Sequence, residues 1–501
     1  MDLWLDINEI GTGLSNSNNF KYALTTSSTS CETGLVTSGT FTGTKAGDKI
    51  SLLSSQKYTQ TMTDTYYLYV WLDKEETSTE TMNQSFSLSL NGECNDDIID
   101  NAEPSVPELD DGMIPVVIDN SGSETTVKTT SKSDSNWYNY ESKKWANVVL
   151  TTESSRSKYL NTTDVVVSES DILAYLVWIP RYKYKIWTTT TSSKGSEQTI
   201  KVVFEDKTTT KSTGTTIGSY RTHPAFTFGN TELNGIWVGK FETTGDATTP
   251  TVKPNLQSLR NQNVSTQFST AQKFGTSTYG STSKIDAHMM KNSEWGAVAY
   301  LSHSIYGVNR EVYINNSSSY ITGRSGGNVG GSTAINTVYT NQTSTTQYNY
   351  YGFYTWDGYL LDYNTNTKSS THDISKVAST TGNITGVYDM SGGTDEYAMG
   401  NYNNTIRNSG FSTLPNSKYY DTYSITSNNS CTIATCGGHA LFETANWYSD
   451  SALFVSSNDP WFLRGGSYYG SAREGAFKSY YFNGSADRIY SFRLVLSAAW
   501  A

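Results

Sequence analysis

Leu463-Arg464-Gly465-Gly466-Ser467-Tyr468 and the closing Phe492-Arg493-Leu494-Val495 bracket a segment of different character, Ser467 to Ser491, which reads SYYGSAREGAFKSYYFNGSADRIYS. Both ends read as structural. Paired glycines admit positive φ and close backbone packing. Arg464 and Arg493 predict buried guanidiniums, because their fork of donors matches carboxylates and carbonyls; Glu294 and Glu396 are the candidate partners. A chain held at two such ends must leave the core and return, and Gly470, Gly475 and Gly484 ease the turns. Phe477, midway, is expected to point inward. Lys478, Asp487 and Arg488 would need costly partners if buried, so the rest of the segment is expected to face solvent. Tyrosine suits recognition there, since it offers large contact area at low entropic cost. The expected patch is Ser467, Tyr469, Ser471, Arg473, Lys478, Tyr480, Tyr481, Asn483, Asp487, Ile489 and Tyr490.

Working outward, Trp178-Ile179-Pro180 ends an apolar strand. His223-Pro224 precedes Gly235-Ile236-Trp237-Val238-Gly239-Lys240-Phe241-Glu242-Thr243. Asn292-Ser293-Glu294-Trp295 opens a stretch in which Met290, Ala297 and Leu301 predict a helix over 290–302. Leu256, Leu259 and Val264 predict a second within 255–274. Gly386-Val387-Tyr388-Asp389-Met390-Ser391-Gly392 precedes Asp395-Glu396-Tyr397. Two helices among many short strands give an α+β class. Low-complexity stretches at 188–216 and 315–352 are expected as loop insertions, the first carrying a strand over 198–204.

Taken in order, these pieces resemble the formylglycine-generating-enzyme (sulfatase-modifying factor) family over roughly residues 170–497. The resemblance implies a C-type-lectin-like head spanning 113–501. Oxidase members of that family place a cysteine pair just after the Arg-Gly-Gly-Ser motif. The matching positions here are Gly470 and Gly475, and no cysteine occurs from Gly437 to Ala501. Without thiolates there is neither a copper(I) site nor a sulfur redox centre. His223, His288, His303, His372 and His439 lack HxxxH-type spacing, and no GxSxG elbow occurs. The chain is therefore not expected to be an enzyme. The family can hold a structural calcium ion, for which Asp389, Asp395 and Glu396 are the candidate oxygen ligands; no other cofactor is expected. The same fold serves the variable proteins of diversity-generating retroelements, whose last segment is randomised on a fixed scaffold. Adenine-directed mutation of Asn codons yields Tyr, Ser, Asp, Ile and Arg. Glu474 and Lys478 lie outside that route, so they are either fixed or count against it. An invariant lectin-like surface is the alternative.

Ahead of the head, Tyr66-Tyr67-Leu68-Tyr69-Val70-Trp71 alternates with period two, and serines alternate with Phe86, Leu88 and Leu90. Such strands predict a β-sandwich stalk over 1–95, similar in composition to small modules of bacterial surface and biofilm-fibre proteins. The acidic stretch 96–112, with Pro104 and Pro107, is expected as a solvated linker. Cys31 with Cys94, and Cys431 with Cys436, are the expected disulfides, implying an oxidising compartment. Met1-Asp2-Leu3-Trp4 has no signal-peptide character, so an exported form would carry its signal or anchor outside these residues.

Lys+Arg total 36 against Asp+Glu 47, a net charge of −11. That balance lacks the basic footprint of a nucleic-acid or anionic-membrane binder. No run reaches the ~18 apolar residues of a membrane span. Aromatics at 13% argue against a disordered chain. The expected function is extracellular, surface-displayed ligand binding, with a protein or glycan on another cell or on a phage as partner. A phage tail or virion receptor-binding protein, and an enzyme of the same fold, are the alternatives. Purified protein is expected neither to bind copper(I) tightly nor to convert a cysteine-containing sulfatase peptide; turnover of that peptide would overturn the binder reading.

Overall fold

The computed structural model describes the chain except for residues 1, 54–63, 77, 94–102, 123, 188–196, 216–217, 318–319, 326–352, 362–366, 375–376, 469–472 and 499–501. It is mostly β-sheet with few helices, in two compact units, Met1–Asn101 and Ala102–Ala501.

The first unit contains two antiparallel three-stranded sheets. One is Lys49–Leu53, Asp2–Ile10 and Phe86–Glu93; the other is Leu35–Thr40, Phe20–Thr25 and Tyr67–Leu72. Leu5 and Ile7 from the first sheet and Phe20 and Leu24 from the second share one core, with Phe41 stacked on Phe20 at 4.6 Å. Tyr66, Leu68 and Val70 pack against that core, the inward set of a period-two strand. Cys31 is half-buried. Cys94, and with it the Cys31–Cys94 pairing, lies outside the described residues.

The second unit begins inside the stretch read as a linker. Residues 103–112 lie against its sheet instead of forming a solvated spacer. Trp178 Nε1 donates to Ser105 O (3.1 Å) and Trp237 Nε1 to Glu108 O (2.7 Å). Asp110 accepts the Thr282 N–H at 2.6 Å. Buried indole N–H groups need acceptors, and this stretch supplies them. Its residues 96–102 lie outside the described ones.

In chain order the main strands of this unit are β1 (Ile114–Asp119), β2 (Thr126–Thr129), β3 (Asn147–Thr151), β4 (Ile172–Pro180), β5 (Gly235–Gly239), β6 (Ile285–Met289), β7 (Asp395–Tyr402), β8 (Asp421–Tyr423), β9 (Trp461–Arg464), β10 (Ser479–Phe482), β11 (Tyr490–Phe492) and β12 (Leu494–Ala498). An antiparallel seven-stranded sheet runs β6-β12-β5-β4-β3-β1-β2. A five-stranded sheet runs β8-β7-β9-β10, with β11 also on β7. The apolar run of β4 is buried on both faces, and Trp178 meets Trp237 of β5 across the register at 5.1 Å.

Helix α1 covers only Val264–Gln272. Asn255 and Asn261, at φ 60° and 65°, break the helix predicted upstream, and the Asn263 side chain caps the start by accepting the Thr266 N–H at 3.0 Å. Helix α2, Asn292–Ser302, is buried along its whole length. Glu294 is not an arginine partner. It caps α2 by accepting the Lys291 N–H at 2.8 Å and meets His288 Nε2 at 3.0 Å. The strand expected over 198–204 forms at Lys201–Phe204. Residues 188–196 and 216 of the first insertion, and 318–319 and 326–352 of the second, lie outside the described residues. Cys431 and Cys436 form a disulfide with Cα atoms 5.7 Å apart.

Arg493 sits where the chain passes from β11 in one sheet to β12 in the other. Its guanidinium donates through Nε and Nη2 to both oxygens of Glu396, and through Nη1 to Gly239 O at 3.0 Å. All three residues lie in buried interior. Removing one partner of such a pair leaves an uncompensated buried charge. Arg493→Met is expected to cost about 3–5 kcal/mol, read as a lowered midpoint of urea unfolding.

Candidate ligand-binding surface

The segment between the arginines is built in three parts. Arg464 ends β9 with Nη1 and Nη2 donating to His439 O (3.1 Å) and Ala440 O (2.8 Å), its guanidinium over the Trp295 ring. Its partners are carbonyls, not a carboxylate. Gly465 and Gly466 follow at φ 74° and 77°. A Cβ on Gly466 would lie 2.3 Å from Glu474 Oε2, so glycine is required for the close return.

The second part is core. Glu474 Oε2 accepts the Ser467 N–H at 2.7 Å. Lys478 Nζ bridges Asp395 (2.8 Å) and Glu474 (2.5 Å), and all three are buried. Burial pulls the Lys478 ammonium down, but the two carboxylates outweigh it and hold its pKa above the ordinary value. Asp450 accepts the Gly475 and Phe477 N–H groups at 2.8 and 3.1 Å. Phe477 packs on Trp447 at 5.1 Å and His303 at 5.6 Å, and Trp295 Nε1 donates to Ala476 O at 2.8 Å.

The third part faces outward. On β10, Tyr480 is exposed and Tyr481 half-buried, their rings stacked at 5.0 Å. From Asn483 to Ile489 the chain is held mainly by its carbonyls, with Asn483 Oδ1 also accepting the Ser485 N–H (3.0 Å) and Asp487 Oδ1 the Ile489 N–H (3.1 Å). Asn408 N–H donates to Asn483 O (3.0 Å), Val264 to Gly484 O (3.2 Å), Asn261 to Asp487 O (3.0 Å) and Asp395 to Ile489 O (3.1 Å). Arg260 Nη1 takes Arg488 O at 2.5 Å. Main-chain bonds of this kind do not depend on which side chain stands at the position.

No protein-family model matches the sequence, and no curated protein matches it. Among solved structures, Treponema denticola variable protein 1 aligns at 12% identity with a TM-score of 0.24, over 64% of this chain and 95% of that one. A likeness that slight carries no argument about fold or function.

Of the residues expected on the patch, Arg473 and Tyr480 are exposed, and Tyr481, Asn483, Asp487 and Ile489 are half-buried. Ser467, Lys478 and Tyr490 are buried, against expectation. Ser467 belongs to the glycine turn, Lys478 to the ion triad, and Tyr490 packs between Tyr397 (5.2 Å) and Phe482 (5.0 Å). Tyr469 and Ser471 lie outside the described residues. Sequence reading missed Arg260, whose guanidinium covers Tyr320 at 4.0 Å, and the edge-to-face contact of Tyr320 with Tyr468 at 4.5 Å. Arg260 and Tyr320 lie far away in the chain and in loops, where no periodicity marks them.

The three carboxylates read as calcium ligands each engage nitrogen donors. Asp389 accepts Gly323 N–H and Asn315 Nδ2, both at 2.8 Å; Asp395 pairs with Lys478; Glu396 pairs with Arg493. Among the described residues, no group of three or more His, Cys, Asp or Glu is placed to hold a metal ion.

Burial raises the Asp450 carboxyl to about 8, the charge of Glu311 adding to it and the Gly475 N–H opposing it. An acid raised on folding holds its proton in the folded state. Its stabilisation is complete below the ordinary carboxylate range and is lost as pH rises through about 8. Asp450→Asn is expected to flatten this loss, by up to ~1.4 kcal/mol per pH unit. Urea unfolding of both proteins between about pH 5 and about pH 9 checks it.

Proposed function

We propose that the protein is a non-enzymatic ligand-binding protein whose outward C-terminal segment, centred on Tyr480 and Tyr481, is the recognition surface. The head is read as C-type-lectin-like, of the formylglycine-generating-enzyme type. The observation that carries the proposal is the division within the segment. Glu474 and Lys478, the two residues outside the Asn-codon route, are buried in one ion triad, whereas the outward loop is fastened largely by its own carbonyls. That arrangement suits a surface whose side chains change on a constant backbone, as in a retroelement-diversified protein. Ser467 and Tyr490 fit the codon route yet are buried, so they are read as part of the frame. The missing cysteines at Gly470 and Gly475 favour binding over oxidase chemistry. The Cys431–Cys436 disulfide favours an oxidising compartment, hence display outside the cell toward a protein or glycan partner on another cell or a phage. Among the described residues no helix is long and apolar enough to cross a membrane.

Two measurements test this. Flow cytometry of the labelled protein on intact partner cells is expected to lose at least about tenfold in affinity with Tyr480→Ala/Tyr481→Ala, the melting temperature moving by less than about 2 °C. Amplicon sequencing of the gene from a natural population is expected to show changes at Tyr480, Tyr481, Asn483, Asp487 and Ile489, with Glu474 and Lys478 constant. Equal variation at Glu474 and Lys478 would overturn the division on which the proposal rests.

A further inference from the structure

A cavity of about 370 Å³ opens beside the start of helix α2 and shares no residue with the C-terminal segment. Lys291, which immediately precedes α2, and Lys418 line it, together with Asp421 and the exposed Asn230, Asn416 and Ser417. Both ammoniums lie against one ring, that of Phe228, with Lys418 Nζ at 4.7 Å and Lys291 Nζ at 5.5 Å from its centre.

The two lysines end a line of five alternating charged groups. Lys418 Nζ donates to Asp286 Oδ2 at 2.8 Å, and Asp286 Oδ1 faces His288 Nδ1 at 3.2 Å. His288 Nε2 faces Glu294 Oε1 at 3.0 Å, and Lys291 Nζ stands 3.7 Å from that same oxygen. A histidine with a carboxylate at each ring nitrogen donates to both only as the imidazolium. Burial pulls the ring's pKa down, but Glu294 and Asp286 outweigh it and hold it above the ordinary histidine value. The line therefore holds three cations against two carboxylates.

Lys291 is the member left short. It is 4% exposed. Glu294 gives Oε1 to His288 and Oε2 to the Lys291 N–H, so the ammonium lies past hydrogen-bond length from it. Among the described residues no other acceptor bonds Lys291 Nζ, and a buried charge without one is costly. Asp421 does not answer it, because its two oxygens accept the Ser293 N–H at 2.7 Å and the Ser293 hydroxyl at 3.2 Å. That carboxylate is committed to the positive start of the helix. Glu232, beyond Thr227, is held by Arg181 and Lys211.

We propose that this cavity is a second binding site, for a small molecule held by an oxyanion group, a carboxylate, sulfate or phosphate, between Lys291 and Lys418. Such a group supplies the acceptor that Lys291 lacks and meets the excess positive charge of the line. A cation would face both ammoniums, and an apolar ligand would leave Lys291 unsatisfied in a lining of mostly polar residues. The volume is near the lower end of small-molecule sites, ~300–1,000 Å³, with room for a body no larger than a sugar ring.

The test is equilibrium dialysis of labelled acetate, sulfate and phosphate against the intact chain, at neutral pH and constant low ionic strength. At least one is expected to bind at one site per chain with a dissociation constant of about 1 mM or tighter, and which one binds names the oxyanion. Lys418→Met is expected to weaken it at least about fivefold. Asn230→Asp and Ser417→Glu bring a carboxylate into the lining from exposed positions, where folding is spared, and each is expected to weaken binding at least about tenfold. Lys132→Met, which removes an exposed lysine outside the cavity, is expected to leave it unchanged. The proposal is overturned if none of the three anions binds, or if binding persists undiminished in Lys418→Met or in both carboxylate variants. An equal loss in Lys132→Met would mark general charge attraction and overturn it as well.

Discussion

The buried pair of Arg493 with Glu396 is the constraint on which the second unit rests. Glu396 stands opposite Arg464 in the β7–β9 register and beside Ser491 in the β7–β11 register. Both ends of the C-terminal segment are thus tied to one residue's strand. Arg493 then carries the tie into the seven-stranded sheet through Gly239 O. A lone carboxylate at that depth would be costly, and burial still lifts Glu396 to about 7 against the pull of the guanidinium. A two-pronged charge-assisted contact has the geometry to offset desolvation, and lysine in its place could not reach both oxygens and the carbonyl.

The same economy recurs around the segment. Lys478 answers two acids at once, Asp450 gathers two backbone donors, and Arg464 saturates two carbonyls of the His439–Ala440 turn. Buried polar groups are placed where they stop the chain from sliding, and aromatic rings fill the space between. The outward residues take little part in this network. The frame and the display are therefore chemically separate, although they alternate along one short stretch of sequence.

Much of the frame is legible in the amino-acid sequence. The glycine pair and the inward Phe477 follow from residue chemistry, which also offers Glu396 as one of two candidate partners for the two buried arginines. So does helix α2, whose period is strong. Exposure within the segment is less legible, because a charge reads as solvated until its partners are known. Lys478 illustrates this: Glu474 lies four residues away and is a natural suspect, but Asp395 is brought close only by the β7–β9–β10 pairing. The calcium expectation meets the same limit, since nearby carboxylates say nothing of the nitrogen donors that the fold brings to them. The cavity between Lys291 and Lys418 joins residues from Thr227 to Asp421 and leaves no local signature.

The loop from Asn483 to Ile489 has one further consequence, for how this chain changes over generations. Most natural proteins sit close above the stability they need, and a new function is usually limited by the stability its mutations consume. Here most of the contacts that hold the loop end on its main-chain carbonyls, and the side chains of Asn483 and Asp487 add bonds to the Ser485 and Ile489 N–H groups. Replacements that keep those two acceptors draw least on that reserve.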